Sequence, residues 1–296
     1  MTSPNLDSEE EEIEILIEEL EDDSDDFFKS TDHKKQDLDI KETNISDSYE
    51  TIELVETQSE EIQEDEILKI TSSQEIEEII FDYNTTSKNK DRTKIIDKIA
   101  TFLPNNVLEE LLKEIAFQDS YTLCRAKAVS LLGDKADTPE IKRLLIQKLD
   151  DSSPKVRLWT VWSLRTIVYD PEVYEALIKK IKYFEKSKRV NLWIIRSLSD
   201  QIDDKTIQDT FIHLLKQKPD NETRKLLLFY LLQKSNDEDM ATELSFYMLK
   251  EVNREIRKEI VKKLVLLDFE DVRYSLEKLY KKERDEEIKD LIYPTS

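Results

Sequence analysis

Glycine is nearly missing from this chain: Gly133 is the only one among 296 residues. A phosphate-cradling loop needs several glycines whose backbone can approach the ligand, so loops of that kind are excluded. Cysteine is equally scarce. Cys124 alone cannot form an internal disulfide, and nothing argues for an oxidising compartment. Histidine occurs twice, at His33 and His213, with no second His or Cys close by in the pattern. No metal site and no cofactor are therefore expected. No apolar run approaches the roughly 18 residues that span a bilayer, so no membrane partner is expected. The opening MTSPNLDSEEEE has neither the basic nor the apolar region of a signal peptide. A cytoplasmic protein is expected, and a nuclear one would look the same.

Charge is abundant but unevenly placed. Residues 1–86 hold 30 Asp and Glu against 5 Lys and Arg, a net of −25, while residues 87–296 hold 37 acids against 40 bases. The first segment has too little to bury to offset chain entropy, so a mostly disordered acidic tail is expected there. Apolar clusters interrupt it at 13–20, 52–56, 66–70 and 76–83. Asp7 and Ser8 before the first cluster signal a transient helix. Ile13-x-Ile15-Leu16 and Ile52-x-Leu54-Val55 resemble SUMO-interacting motifs, and Tyr49-x-x-Ile52 resembles motifs that dock ubiquitin-like autophagy modifiers. Patterns this short arise readily by chance. The cluster at 76–83 abuts the body and is expected to begin or cap its first helix.

The body repeats itself. DRTKIIDKI (91–99), CRAKAVSLL (124–132), VRLWTVWSL (156–164), VNLWIIRSL (190–198), TRKLLLFYL (223–231) and IRKEIVKKL (256–264) align at steps of 33, 32, 34, 33 and 33. Their second residue is Arg92, Arg125, Arg157, Asn191, Arg224 and Arg257. Positions +3, +4 and +7 from it are nearly all apolar, which is one face of a helix. A second helix follows each first one, with Thr138-Pro139, Asp170-Pro171, Asp203, Asp237 and Asp268 as candidate starts. Its apolar face opens at Leu108, Ile141, Val173, Ile207, Met240 and Val272 and continues four residues later. One such hairpin cannot bury both faces alone, so the units must stack.

CRAKAVSLLGD (124–134) and SPKVRLWTVWSL (153–164) resemble HEAT-like repeats of the type found in phycobilin lyases, whose units read roughly D-x-x-V-R-x-x-A-x-x-A-L-G. The resemblance covers about residues 88–288. It implies an all-α, right-handed α-solenoid of about six helical hairpins at 87–296, preceded by the tail at 1–86. The favoured function is a protein-interaction scaffold or adaptor with the acidic tail modulating access. The resemblance implies as an alternative a lyase-like or chaperone-like helper of a cofactor-bearing protein, and a third reading is a nucleic-acid scaffold held in check by the tail. Some HEAT-like proteins are metal hydroxylases built on paired His-Glu motifs, and no His-Glu dipeptide occurs here. Cys124 occupies the column of Val156, Val190 and Ile256, so it reads as a small buried apolar residue rather than a nucleophile. A non-enzyme is expected.

Two surfaces are candidates for binding. At 100° per residue, positions +2 and +5 of the first helices point away from the core. There stand Trp159, Trp162, Trp193, Arg196, Leu226 and Phe229 in the middle units, and polar residues at both ends. Either neighbouring first helices cover these rings, or they form an apolar patch for a partner. The second surface is a lysine near the end of each second helix: Lys113, Lys148, Lys180 or Lys182, Lys216, Lys250 and Lys282. The helix dipole alone would favour lysine there. The densest basic stretch adds Lys179, Lys186, Lys188 and Arg189. Such a row could meet an acidic protein or the chain's own tail. Nucleic acid is not expected, because the body carries a net of only +3 and the tail would compete for it.

Overall fold

The computed structural model describes residues 73–294, apart from the side chain of Phe184. Expectations about residues 1–72, including disorder, a helix at 13–20, the short motifs and a contact between tail and body, lie outside the described residues.

Fourteen α-helices and no strand occur among the described residues. Six hairpins follow one another: α2 (Asn89–Ala100) with α3 (Asn106–Gln118), α4 (Thr122–Leu132) with α5 (Pro139–Lys148), and α6 (Pro154–Leu164) with α7 (Pro171–Lys179). Then come α8 (Lys188–Ser199) with α9 (Lys205–Lys216), α10 (Asn221–Leu232) with α11 (Glu238–Met248), and α12 (Arg254–Leu264) with α13 (Glu270–Lys282). A single helix stands at each end, α1 over 73–85 and α14 at Glu286–Ile292. The chain is an α-solenoid.

The aligned apolar columns are its core. Of the thirty residues in the three first-helix and two second-helix columns, all are buried except Ile95, which is half-buried. Fully burying a Leu or Ile is worth about 1.5–3 kcal/mol, so these columns dominate the stability. First helices of successive hairpins pack on one another along the whole series, most closely at α4, α6 and α8. Gly133 lies at that close approach. A Cβ there would stand 2.6 Å from Ser163 Oγ and 2.9 Å from its Cβ, so the only glycine serves packing rather than a special backbone angle.

Helix starts follow local chemistry, with corrections to the expected caps. Asp170 caps α7 and Asp237 caps α11 through their carboxylates. Thr138 does not cap α5 with its side chain; its hydroxyl donates to Lys135 O at 2.9 Å instead. The cap of α9 is Asp204, one residue after Asp203. Asp268 pairs with Arg273 while Phe269 occupies the cap of α13. The cluster at 76–83 lies in α1, where Ile79 and Tyr83 are buried and the Tyr83 hydroxyl donates to the Asp119 carboxylate.

Candidate interaction surface

The repeat arginine, at the second position of each aligned segment, turns inward and builds a ladder. Arg125 donates to both carboxylate oxygens of Asp151 at 2.9 and 3.0 Å, and Arg157 to both of Glu185 at 2.7 and 2.8 Å. Arg224 meets Glu251 at 3.2 Å, Arg257 meets Glu283 at 2.6 and 3.2 Å, and Arg92 meets Asp119 at 2.7 Å. Each acid closes its own hairpin and also accepts the N–H two residues on: Tyr121, Ser153, Ser187, Asn253 and Asp285. The next arginine reaches back to the acid's carbonyl, as Arg125 does to Asp119, Arg157 to Asp151 and Arg257 to Glu251. Burial opposes ionisation of Asp151, Glu185 and Glu283, yet the facing guanidinium and backbone N–H groups outweigh it and hold all three below the usual carboxylate range.

The fourth hairpin breaks this ladder. Asn191 replaces the arginine and Lys218 stands in the acid column. Asn191 Oδ1 is buried without a partner, and Lys218 adopts a left-handed backbone with φ 56°. The sequence columns showed the arginines. The acids were equally visible six residues before the following unit's second position, at Asp119, Asp151, Glu185 and Glu251, but a column of mixed Asp and Glu in an acid-rich chain does not stand out.

The lysine column serves the same inter-repeat work. Lys148 Nζ donates to the Phe117 carbonyl at 2.9 Å, and Lys282 donates to the Leu249 carbonyl, each satisfying a carbonyl at the end of the preceding second helix. Lys180 is buried against Asp150 at 2.9 Å, Lys113 meets Glu140 at 2.8 Å, and Lys216 meets Glu243 at 2.8 Å. Lys250 is exposed. The basic stretch at 179–189 does not form one face. It runs through a wide π-type turn at Lys180–Phe184 and enters α8, where Lys188 pairs with Glu222 and, at 3.4 Å, Asp220. Lys179, Lys186 and Arg189 are exposed, and Lys182 is half-buried.

The aromatic set is brought together in part. Trp162 of α6 and Trp193 of α8 meet edge to face, with ring centroids 4.9 Å apart. Trp193 is 9% exposed, so neighbouring first helices cover it as a packing residue; Trp159 and Trp162 are half-buried. The helical wheel failed at position +2 because a middle first helix is flanked on both sides. Lys127, also at +2, is buried for the same reason. The Arg196 guanidinium lies 5.5 Å from the Trp193 ring, and Arg165 lies 5.8 Å from the Trp162 ring. Arg165, three residues beyond Trp162, is a member of this stripe that the two-position wheel did not include. Among the described residues neither guanidinium has an ion-pair partner, and Arg196 Nη1 is buried with no acceptor. Phe229, one hairpin further, is 61% exposed and touches Tyr230 edge to face.

Residues 109–183 match the model of the family described as HEAT repeats, a span that runs from within α3 past the end of α7 and includes the Arg125–Asp151 rung. The chain is a helical-repeat protein. The repeat protein is similar to the crystal structure of YibA of E. coli, at 18% identity over 78% of this chain and 85% of that one, with a TM-score of 0.48. It is similar also to a computationally designed armadillo repeat protein made for modular peptide recognition, at 15% identity over 73% and 96%, with a TM-score of 0.30. No curated protein matches the repeat protein. Among its described residues no helix is long and apolar enough to cross a membrane, and no cluster of three metal-ligating side chains occurs. His213 is exposed beside Gln217, and burial pushes the Cys124 thiol up to about 11.

Proposed function

We propose that the protein is a non-catalytic cytoplasmic adaptor whose first-helix face receives a protein partner, with the acidic segment ahead of α1 modulating access. One observation carries the reading. The ladder arginines and most of the column lysines are spent on internal bonds, whereas Arg165 and Arg196 sit on tryptophan rings with no acid answering them, and Phe229 one hairpin further is exposed. Arginine over an aromatic ring has one planar face covered while its remaining N–H groups can donate to a partner, which makes it a favoured anchor at protein interfaces. The engaged lysines also weaken the nucleic-acid alternative, since a phosphate backbone would have to compete with built ion pairs.

Affinity capture with and without residues 1–72, a truncation that leaves α1 in place, compared with the Arg165→Glu/Arg196→Glu variant, tests this reading. Defined protein partners that disappear with the variant, and bind more strongly without residues 1–72, are expected. Capture of a chromoprotein would favour the helper reading, and salt-sensitive nucleic acid the third.

A further inference from the structure

The stripe on the first helices has a register that specifies more than a general patch. Trp162 stands at +5 of its unit and meets Trp193 at +2 of the next. Carried along the helices, that offset sets Arg165, at +8, opposite Arg196, at +5. It sets Arg196 opposite Leu226, at +2, on α10, which packs against α8. Packed helix axes lie about 8–10 Å apart. Two guanidinium groups, each supported by an indole, therefore stand about one helix spacing apart in a row that runs across the helices and ends on apolar side chains. Arg125, Arg157 and Arg224, on the same set of first helices, face carboxylates. Here the positive charge is left unanswered.

We propose that this row binds a linear acidic peptide segment carrying an apolar residue, laid across α6, α8 and α10. Two carboxylates three residues apart in a polyproline-II segment lie on one face, about 9 Å apart at 3.1 Å per residue, and span the two arginines. A following leucine or phenylalanine side chain then reaches Leu226 and Phe229. Each carboxylate accepts paired N–H bonds from a guanidinium edge, a geometry lysine does not offer. The proposal deepens the adaptor reading and rests on it: it names the chemistry of the partner at the same face. A membrane or a nucleic acid would present phosphates without the ordered apolar residue.

The test is a fluorescence-polarisation titration of the full chain with a short labelled peptide of repeating Glu-Glu-Leu-Phe units. A Gln-for-Glu version, a polyglutamate peptide and a single-stranded oligonucleotide are run beside it. The acidic-apolar peptide should bind best, and more weakly as salt rises. Arg165→Glu with Arg196→Glu should weaken it at least about tenfold, as loss and reversal of two half-buried charge contacts allows. Arg165→Gln with Arg196→Gln should weaken it less, and Lys182→Glu with Lys186→Glu should leave it within about twofold. Both arginines lie outside the ladder, and circular dichroism checks that the variants, the milder glutamine pair above all, stay folded. Equal binding of the Gln-for-Glu peptide, tighter binding of the oligonucleotide, or no loss in the arginine variants overturns the proposal. If the peptide fails while protein partners still depend on Arg165 and Arg196 in the capture experiment, the adaptor reading stands and only the partner chemistry falls.

Discussion

Replacing Arg157 by alanine should be among the most destabilising single changes in the solenoid. Arg157 holds Glu185 through both carboxylate oxygens, and the Glu185 side chain is 0% exposed against 13% for the arginine. Removing one partner of a buried pair typically costs 3–5 kcal/mol, because the remaining charge stays buried and unpaired. Glu185 keeps the Ser187 N–H at 2.7 Å and Lys180 at 3.9 Å, which places the cost near the low end, about 3 kcal/mol. For a body of this size that is a fall in melting temperature of about 6–12 °C, measured by circular dichroism and urea titration. Arg273→Ala, which breaks an exposed pair with Asp268, should cost under about 0.5 kcal/mol and serves as the control. The deficit should also depend on pH in a set direction. The folded carboxyl of Glu185 is held below its ordinary value of 4.5, so the pair's contribution is full above that value and is lost as pH falls through the folded one. Parent and Arg157→Ala stabilities should therefore converge in acid. Replacing both partners by methionine should recover much of the loss, since no buried charge then remains. If Arg157→Ala costs no more than Arg273→Ala at neutral pH, the ladder is not holding the hairpins together.

Other changes should separate packing from exposure. Trp193→Lys should cost about 3 kcal/mol or more by urea titration because the ring is covered, whereas Phe229→Lys should cost under about 1 kcal/mol. Gly133→Ala should cost about 1–3 kcal/mol through the clash with Ser163, and Ser163→Gly in the same chain should recover most of it. Lys218→Gly should raise stability by about 0.5–1 kcal/mol by chemical denaturation, because a left-handed residue with a side chain is strained. Native-state hydrogen exchange should find the lowest protection of the interior hairpins around α8 to α10, where the ladder lacks its fourth rung.

The fold was legible because stacking imposes the same burial on every unit. Ile96, Val129, Val161, Ile195, Leu228 and Val261 occupy one column, and all are buried. What a single helical wheel could not see is the second neighbour. Trp193 points away from its own hairpin's core and onto the preceding first helix, so its exposure depends on the stack rather than on periodicity. The lysines show the same limit. Lys148 sits at a helix end as the dipole favours, but its partner is the carbonyl of Phe117, in the preceding unit. Arg165 and Arg196 became notable only once the structure showed which other arginines already have carboxylates.

The adaptor reading places the partner on the first-helix face, and site-specific photocrosslinking in cells tests that placement most directly. A photoreactive phenylalanine analogue replaces Phe229 on α10 in one full-length protein and Tyr274, exposed on α13, in another. The account predicts discrete protein crosslinks from position 229 that disappear with Arg165→Glu/Arg196→Glu, and none of them from position 274. Crosslinks of the same pattern from both positions, or from position 229 irrespective of the arginines, would contradict it.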